Sequence, residues 1–191
     1  MTDNRWKNYF DKTKDAPPRP LLVEALPFVK EKGCAFDLGA GALSDSRYLV
    51  EQGLSVVALD KKSVADFFQV PLPEKDFEYV IEPFEEFKFP VEKYDLVNAQ
   101  FSLPFISPSD FQRVFASIKN SLKTNGIFVG QLFGNQDSWS DDPTMTFHTK
   151  TEAENLFEGL KIHKFLETEK DGTTAKGDEK HWHVFHFIVE K

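Results

Sequence analysis

Two short apolar runs, each ending beside an aspartate and joined through a glycine-spaced turn, constrain this chain more than anything else in it. Cys34-Ala35-Phe36-Asp37-Leu38 has the length and apolarity of a buried strand. Gly39-Ala40-Gly41-Ala42-Leu43 follows as a turn, and Ser44 to Gln52 reads as a helix that carries Tyr48 and Leu49 inward and stops at Gly53. Leu54 to Leu59 is a second strand, ending at Asp60. Strand, turn, helix and strand in this order form a right-handed crossover between parallel strands. The rest of the chain must therefore extend a parallel sheet and cover both of its faces with helices.

The remaining sequence supplies those parts. Residues 1–19 are polar, with Trp6, Tyr9 and Phe10 among charges and Pro17-Pro18 stiffening the exit, so they read as an N-terminal arm. Residues 20–191 read as one domain, of a length common for single domains. Leu21, Leu22, Ala25, Leu26 and Val29 recur at helical spacing behind Pro20. A short helix with Val64, Phe67 and Phe68 inward is expected before Pro71 and Pro73, then strands at Phe77–Ile81 and Tyr94–Ala99. Ser109 with Gln112 suggests a capping box for a helix whose apolar face is Phe111, Val114, Phe115, Ile118 and Leu122. A fifth strand follows at Ile127–Phe133. A long polar loop over 134–148 precedes a helix capped by Thr149 and Glu152. Lys161–Glu167 and Trp182–Val189 read as an antiparallel hairpin joined by the polar segment Glu169–Lys180. The sum is an α/β doubly wound sheet of seven strands, mostly parallel, with one antiparallel strand near the C-terminal hairpin.

Composition excludes several functions. A net charge of -8 disfavours the phosphate backbone of a nucleic acid as partner. One cysteine, Cys34, permits neither an intrachain disulfide nor a cysteine-based zinc cluster. No apolar run approaches the ~20 residues that span a bilayer, and no signal segment is evident, so a soluble cytoplasmic protein, monomer or homodimer, is expected.

The glycine turn carries the chemistry. It lies at the carboxyl end of a buried strand and the start of a helix, where backbone N–H groups face a ligand and glycine allows its close approach. Asp60, at the end of the next strand, stands where an acid accepts hydrogen bonds from both ribose hydroxyls. A phosphate loop would continue Gly-Lys-Ser/Thr, and a dinucleotide fold would place a glycine where Ser44 stands. Asp37 beneath the turn repels a pyrophosphate and suits a cationic amine. S-adenosylmethionine carries an ammonium and a sulfonium and no phosphate.

The ordered set Asp37-x-Gly39-x-Gly41, Asp60 and Tyr94-Asp95-Leu96-Val97 resembles the class I S-adenosylmethionine-dependent methyltransferases. Gln100-Phe101-Ser102-Leu103-Pro104-Phe105-Ile106 is similar to their small tellurite-resistance-type branch. Gly130-Gln131-Leu132-Phe133-Gly134 and His181-Trp182-His183-Val184-Phe185-His186 are similar to a bacterial group within that branch. The resemblance spans residues 20–191 and implies a Rossmann-like fold that transfers methyl groups and leaves S-adenosylhomocysteine. It implies Asp37 for the donor's ammonium, the backbone of Gly39, Ala40 and Gly41 for its methionine part, and Asp60 for the ribose. Lys61 would neighbour the adenine, Pro83 and Phe84 would flank it with either Glu82 or Glu85 at its amine, and Gln100 and Phe101 would face the donor. Relatives often have a third glycine where Leu43 stands, a departure expected to tighten the turn or tilt the helix.

The acceptor side is sparser. Trp6, Tyr9, Trp139 and His148 are expected to surround a small-molecule acceptor. His148 is either a general base for an oxygen or nitrogen acceptor or a helix cap, and Trp6 and Tyr9 either close over a ligand or staple the arm. No Asn-Pro-Pro-Tyr element follows the fourth strand, which argues against nucleic-base and protein-amide acceptors; Asn98-Ala99-Gln100-Phe101 stands there. His181 and His183 share one strand face but have no third ligand at a recognised spacing, so no metal is expected. A methyltransferase acting on a small molecule is the leading reading. The alternative is a non-catalytic donor-binding or regulatory protein of the same fold.

Overall fold

The apolar runs assemble into the sheet that their pattern requires. The computed structural model describes residues 3–29, 33–67 and 75–191, and the side chains from Lys7 onward. The strands are β1 (Cys34–Leu38), β2 (Ser55–Asp60), β3 (Phe77–Ile81), β4 (Tyr94–Ala99), β5 (Leu122–Gly134), β6 (Phe147–His148), β7 (Lys161–Thr173) and β8 (Glu179–Glu190). They run in the order β3-β2-β1-β4-β5-β8-β7, with the two-residue β6 alongside the end of β5. The first five are parallel and β8 alone runs against them. β1 lies between β2 and β4, so the winding reverses there and opens a crevice at the strands' carboxyl ends. A seven-stranded path and one antiparallel strand match the expectation; β6 is an addition to it.

Helices cover both faces. Helices α2 (Pro20–Ala25) and α3 (Ser44–Glu51) pack Leu22, Ala25 and Leu49 onto Val56, Leu96 and Val129. On the other face α4 (Pro108–Ser121) and α5 (Lys150–Asn155) bury Phe111, Phe115 and Ala153 against Phe36, Phe128 and Phe187. The N-terminal arm is a helix, α1 (Asp3–Thr13), whose Phe10 is fully buried with Leu43, Ala58 and Val64. Among the described residues no helix is long and apolar enough to cross a membrane.

Three local expectations are corrected. α4 begins before the anticipated Ser109–Gln112 cap: Ser107 accepts from Asp110 N at 3.3 Å, and Pro108 takes the first helical position. The reason is Pro108, whose ring favours an extended preceding residue and presets its own helical φ. Val64–Asp66 form one 3-10 turn in place of the short helix, and Phe68, Pro71 and Pro73 lie outside the described residues. The hairpin is longer than its apolar pattern, because most of the polar segment 169–180 is itself strand. Cross-strand partners support it: His181 meets Asp171 at 2.7 Å and Glu169 at 3.2 Å. The Thr149–Glu152 capping box is formed as expected.

Beyond the Phe133–Val184 pair the hairpin outruns β5 and rises past the carboxyl end of the sheet. Its tip reaches α1, where Lys12 Nζ donates to Lys176 O at 2.6 Å. Hairpin and arm thus stand on the side where the crevice opens.

Candidate functional site

The glycine turn is locked to the end of β2. Gly39 N and Ala40 N donate to Leu59 O at 2.8 and 3.1 Å, and Gly41 N donates to Asp60 Oδ2 at 2.8 Å. The other Asp60 oxygen accepts from Lys62 N at 3.0 Å, so the turn itself orients this carboxylate. Gly39 has φ +73° and no room for a side chain, since a Cβ there would run into Ser102 Cβ and lie 3.5 Å from the Phe84 ring. Leu43 adopts φ 65°, the left-handed conformation that a glycine would take. Full burial of Leu43 beside Phe10 offsets the backbone strain.

Below the turn runs a chain of polar side chains. Asp37, 2% exposed, accepts from Ser46 Oγ at 2.5 Å and from Asn98 Nδ2 at 2.8 Å. The second hydrogen of the same Asn98 amide goes to Asp45 Oδ2 at 3.1 Å, and Asp45 Oδ1 accepts from Arg19 N at 2.8 Å. Asn98 Oδ1 accepts from Gln100, Gln100 Oε1 accepts from Gln131, both at 2.8 Å, and Gln131 Oε1 accepts from Phe101 N at 2.9 Å. Every amide orientation in the chain is thereby fixed. Burial, followed by the charge of Asp45, pushes the Asp37 carboxyl up to about 7. Burial also raises Asp45 and Asp60. The floor of the cleft is acidic and wants a cation.

The chain leads to an aromatic wall. The Arg19 guanidinium lies 5.3 Å from the Phe101 ring centre, and the Tyr9 hydroxyl stands 3.5 Å from where a side chain on Gly41 would begin. Burial raises the Tyr9 hydroxyl, and the Arg19 charge opposes that. Phe101 meets Trp182 edge to face at 6.0 Å, and Trp182 lies 6.0 Å from Trp139. Between Trp139, Trp182 and Phe133 sits the Lys180 ammonium, 3.9, 4.5 and 5.3 Å from their ring centres. It is ion-paired with Asp137, and both side chains are fully buried. Asp137 Oδ2 also accepts from His183 N at 3.3 Å, while Gln136 N donates to His183 Nδ1 and Ser138 N to His181 O, each at 3.1 Å. The long loop is fastened to the hairpin and forms part of its wall.

The structure therefore brings together Asp37, Gly39, Ala40, Gly41, Asp60, Phe84, Gln100, Phe101 and Tyr9. Lys61 is exposed next to Asp60 and lowers its pKa by its charge. Pro83 opens the turn after β3, and Glu82 N donates to Asp60 O at 3.0 Å. Trp139 reaches Phe101 through Trp182 and through Phe133, and the Trp6 side chain lies outside the described residues. His148 is set apart. It pairs with Gly134 and packs on Phe111 of α4 at 4.8 Å, whereas Gln131 points to the opposite side of β5 and bonds Gln100. There it lines a separate cavity of about 380 Å³ between α4 and α5, and burial lowers its pKa. His181 and His183 hold carboxylates of the facing strand, and His186 Nε2 meets Thr168 Oγ1 at 3.0 Å. Among the described residues no group of three or more histidine, cysteine or carboxylate side chains could hold a metal ion.

Sequence reasoning passed over Asp45, Arg19, Gln131, Trp182 and Lys180. Asp45 carried a signal, an acid in the first turn of the helix after the glycines. Gln131 and Trp182 stood in two of the motifs behind the resemblance without a role, and Arg19 and Lys180 come from remote segments and carried no signal.

An adenosyl amino acid fits what is present. Ser102 Oγ is buried against Gly39 without a hydrogen-bond partner among the described residues, and the acids below the turn suit an ammonium. Comparison with known proteins agrees. Residues 36–130 match the family described as a methyltransferase domain. No curated protein matches the chain in sequence. Among solved structures, TehB from Haemophilus influenzae superposes with a TM-score of 0.77 at 15% identity, covering 97% of this chain and 67% of that one. A Methanosarcina mazei S-adenosylmethionine-dependent methyltransferase gives 0.67 at 18% identity over 92% and 99% of the two chains. The Burkholderia thailandensis 1,6-didemethyltoxoflavin-N1-methyltransferase, crystallised with 1,6-didemethyltoxoflavin and S-adenosylhomocysteine, gives 0.61 at 20% identity over 91% and 77%. Residues 36–130 thus match a methyltransferase domain, and the chain has the fold seen in these S-adenosylmethionine-dependent methyltransferases.

Proposed function

We propose that this chain transfers the methyl group of S-adenosylmethionine to a small-molecule acceptor held between Tyr9, Phe101 and Trp182. The observation that carries the reading is the acid floor under the glycine turn. Asp37 and Asp45 share the Asn98 amide there, and Asp60 is tied to Gly41 N. This arrangement repels phosphates and receives an amine and a ribose. When bound, S-adenosylmethionine would supply a sulfonium-activated methyl group, to which an acceptor bonds in line as S-adenosylhomocysteine leaves.

The chain's own residues then bind, align and exclude water. Asp60 takes the ribose hydroxyls, Asp37 favours the ammonium, and Pro83 and Phe84 flank the adenine beside Lys61. Gln100 is held by Asn98 and Gln131, which fixes the passage from donor to acceptor. Phe101, with φ 55°, is turned by the Gln131 bond so that its ring meets Trp182. Aromatic walls give a dry, shaped site, and an activated methyl needs alignment more than acid–base help. His148 faces another cavity, and the reading assigns it no proton.

Calorimetry with S-adenosylmethionine and S-adenosylhomocysteine tests the donor. Asp60→Ala, which removes charge-assisted hydrogen bonds, should weaken binding about 100-fold. Absence of binding by either compound to the folded protein, with Asp60→Ala no different, would sink the reading. S-adenosylhomocysteine released with a panel of small nitrogen, oxygen and sulfur nucleophiles would establish turnover; binding without release across the panel would favour the non-catalytic alternative.

A further inference from the structure

Asp45 stands in the first turn of α3 and is more exposed than Asp37. Two carboxylates thus occupy the two hydrogens of one amide, at 2.8 and 3.1 Å from Asn98 Nδ2. No lysine or arginine side chain bonds to either among the described residues; their other donors are Ser46 Oγ and Arg19 N. Two negative charges so close, inside the protein, favour keeping one proton between them. A second feature points to a ligand at the same turn: Ser102, 7% exposed, directs at Gly39 an Oγ that has no hydrogen-bond partner among the described residues.

We propose that Asp45 binds the amine of the methyl donor, and that its sharing of Asn98 with Asp37 makes donor binding release a proton. The inference rests on the donor reading above. The arriving ammonium supplies the positive charge the pair lacks, the carboxyl O–H gives its proton to water, and no other bond changes. The charged groups facing the pair are few. Asp60 adds to the negative charge at Asp37, while the Arg19 charge acts on Asp45 and on the Tyr9 hydroxyl. Arg47, the cation on α3, instead donates to Ala42 O and Lys14 O. The sign follows: the pair is partly protonated near neutrality and fully ionised above it, so donor affinity rises with pH.

S-adenosylhomocysteine and 5′-methylthioadenosine separate this from the parent reading. The first carries the amino-acid end and the second lacks it. Titration near pH 7 in phosphate and in Tris, whose ionisation heats differ, should show release of up to about one proton with S-adenosylhomocysteine and none with 5′-methylthioadenosine. Affinity for S-adenosylhomocysteine should rise about tenfold from pH 6 to pH 8. Asp45→Asn should weaken S-adenosylhomocysteine about tenfold or more and reduce the release, leaving 5′-methylthioadenosine unchanged. Equal affinity of wild type and Asp45→Asn for S-adenosylhomocysteine, or no proton released by wild type, overturns the proposal while the donor site stands. Failure of folded wild type to bind either compound overturns both. Asp45→Ser serves if Asp45→Asn does not fold, and the wild-type proton count needs no variant.

Discussion

The glycine turn and the aromatic wall are built on different scales of sequence. On the donor side Gly41 meets Asp60 across 19 residues and Ser46 meets Asp37 across 9. In the wall, Lys180 meets Asp137 across 43 and Gln136 meets His183 across 47. The turn and its acids Asp37, Asp45 and Asp60 come from one crossover unit, which Asn98 of β4 joins from 61 residues beyond Asp37. The wall is made when a loop after β5 is fastened to a hairpin formed much later in the chain. The difference teaches where substitution can separate recognition of the donor from shaping of the acceptor space.

Removing the wall's fastening should give the largest effect. Lys180→Ala leaves Asp137 charged and buried without its cation and empties a site surrounded by three aromatic rings. A loss of about 3–5 kcal/mol in unfolding free energy is expected, read by denaturant titration. Rapid proteolytic cleavage within residues 134–146 should accompany it. S-adenosylhomocysteine affinity should stay within about threefold, since the donor bonds lie elsewhere. Pairing Lys180→Met with Asp137→Asn should recover much of the stability, because no unpaired charge remains. A single variant that loses donor affinity in step with stability would show the two sides to be one unit.

The next test addresses the donor side. A glycine at position 43 would relieve the left-handed strain, worth about 1–2 kcal/mol. It would also delete a fully buried leucine side chain, and core truncations of that size cost about 2–5 kcal/mol. Packing should win, and Leu43→Gly should be destabilised by about 2 kcal/mol by the same titration. A stabilised variant would show that the turn is held by its backbone alone, independent of Phe10 on α1.

These two cases also explain what was legible in the sequence. The positions of the strands along the chain, the glycine turn and Asp60 could be read because each is a local pattern or lies one crossover away. The cap at Ser107 was missed because Ser109 offered a similar pattern and Pro108 decided between them. The wall could not be read: Lys180 and Asp137 look like ordinary surface charges until the fold buries them together. His148 follows a long loop, a position that suggests chemistry, yet the short β6 pairing turns it towards α4. Pairings of two residues leave no periodic trace.

The smallest expected effect lies in the acid pair, where folding and donor recognition oppose each other. Asp37 is raised above its ordinary value, chiefly by burial and then by Asp45, so the native state holds a proton that the unfolded chain has lost between about pH 4 and pH 7. Stability of the ligand-free protein from this site is therefore highest in acid and falls as pH rises through that window. The rest of the molecule adds slopes of its own: Glu167, lowered by its bonds to His183 and Lys150, acts in the opposite direction. The difference between wild type and Asp45→Asn isolates the pair. The variant removes one of the two like charges, so its stability relative to wild type should improve from pH 5 to pH 8 by on the order of 1 kcal/mol. Thermal melting across that range, without ligand, measures it. A difference that stays constant with pH would mean that Asp37 and Asp45 do not share a proton. A difference that grows with pH, together with weaker donor binding, would show a site that is costly to fold and is kept for the cation it receives.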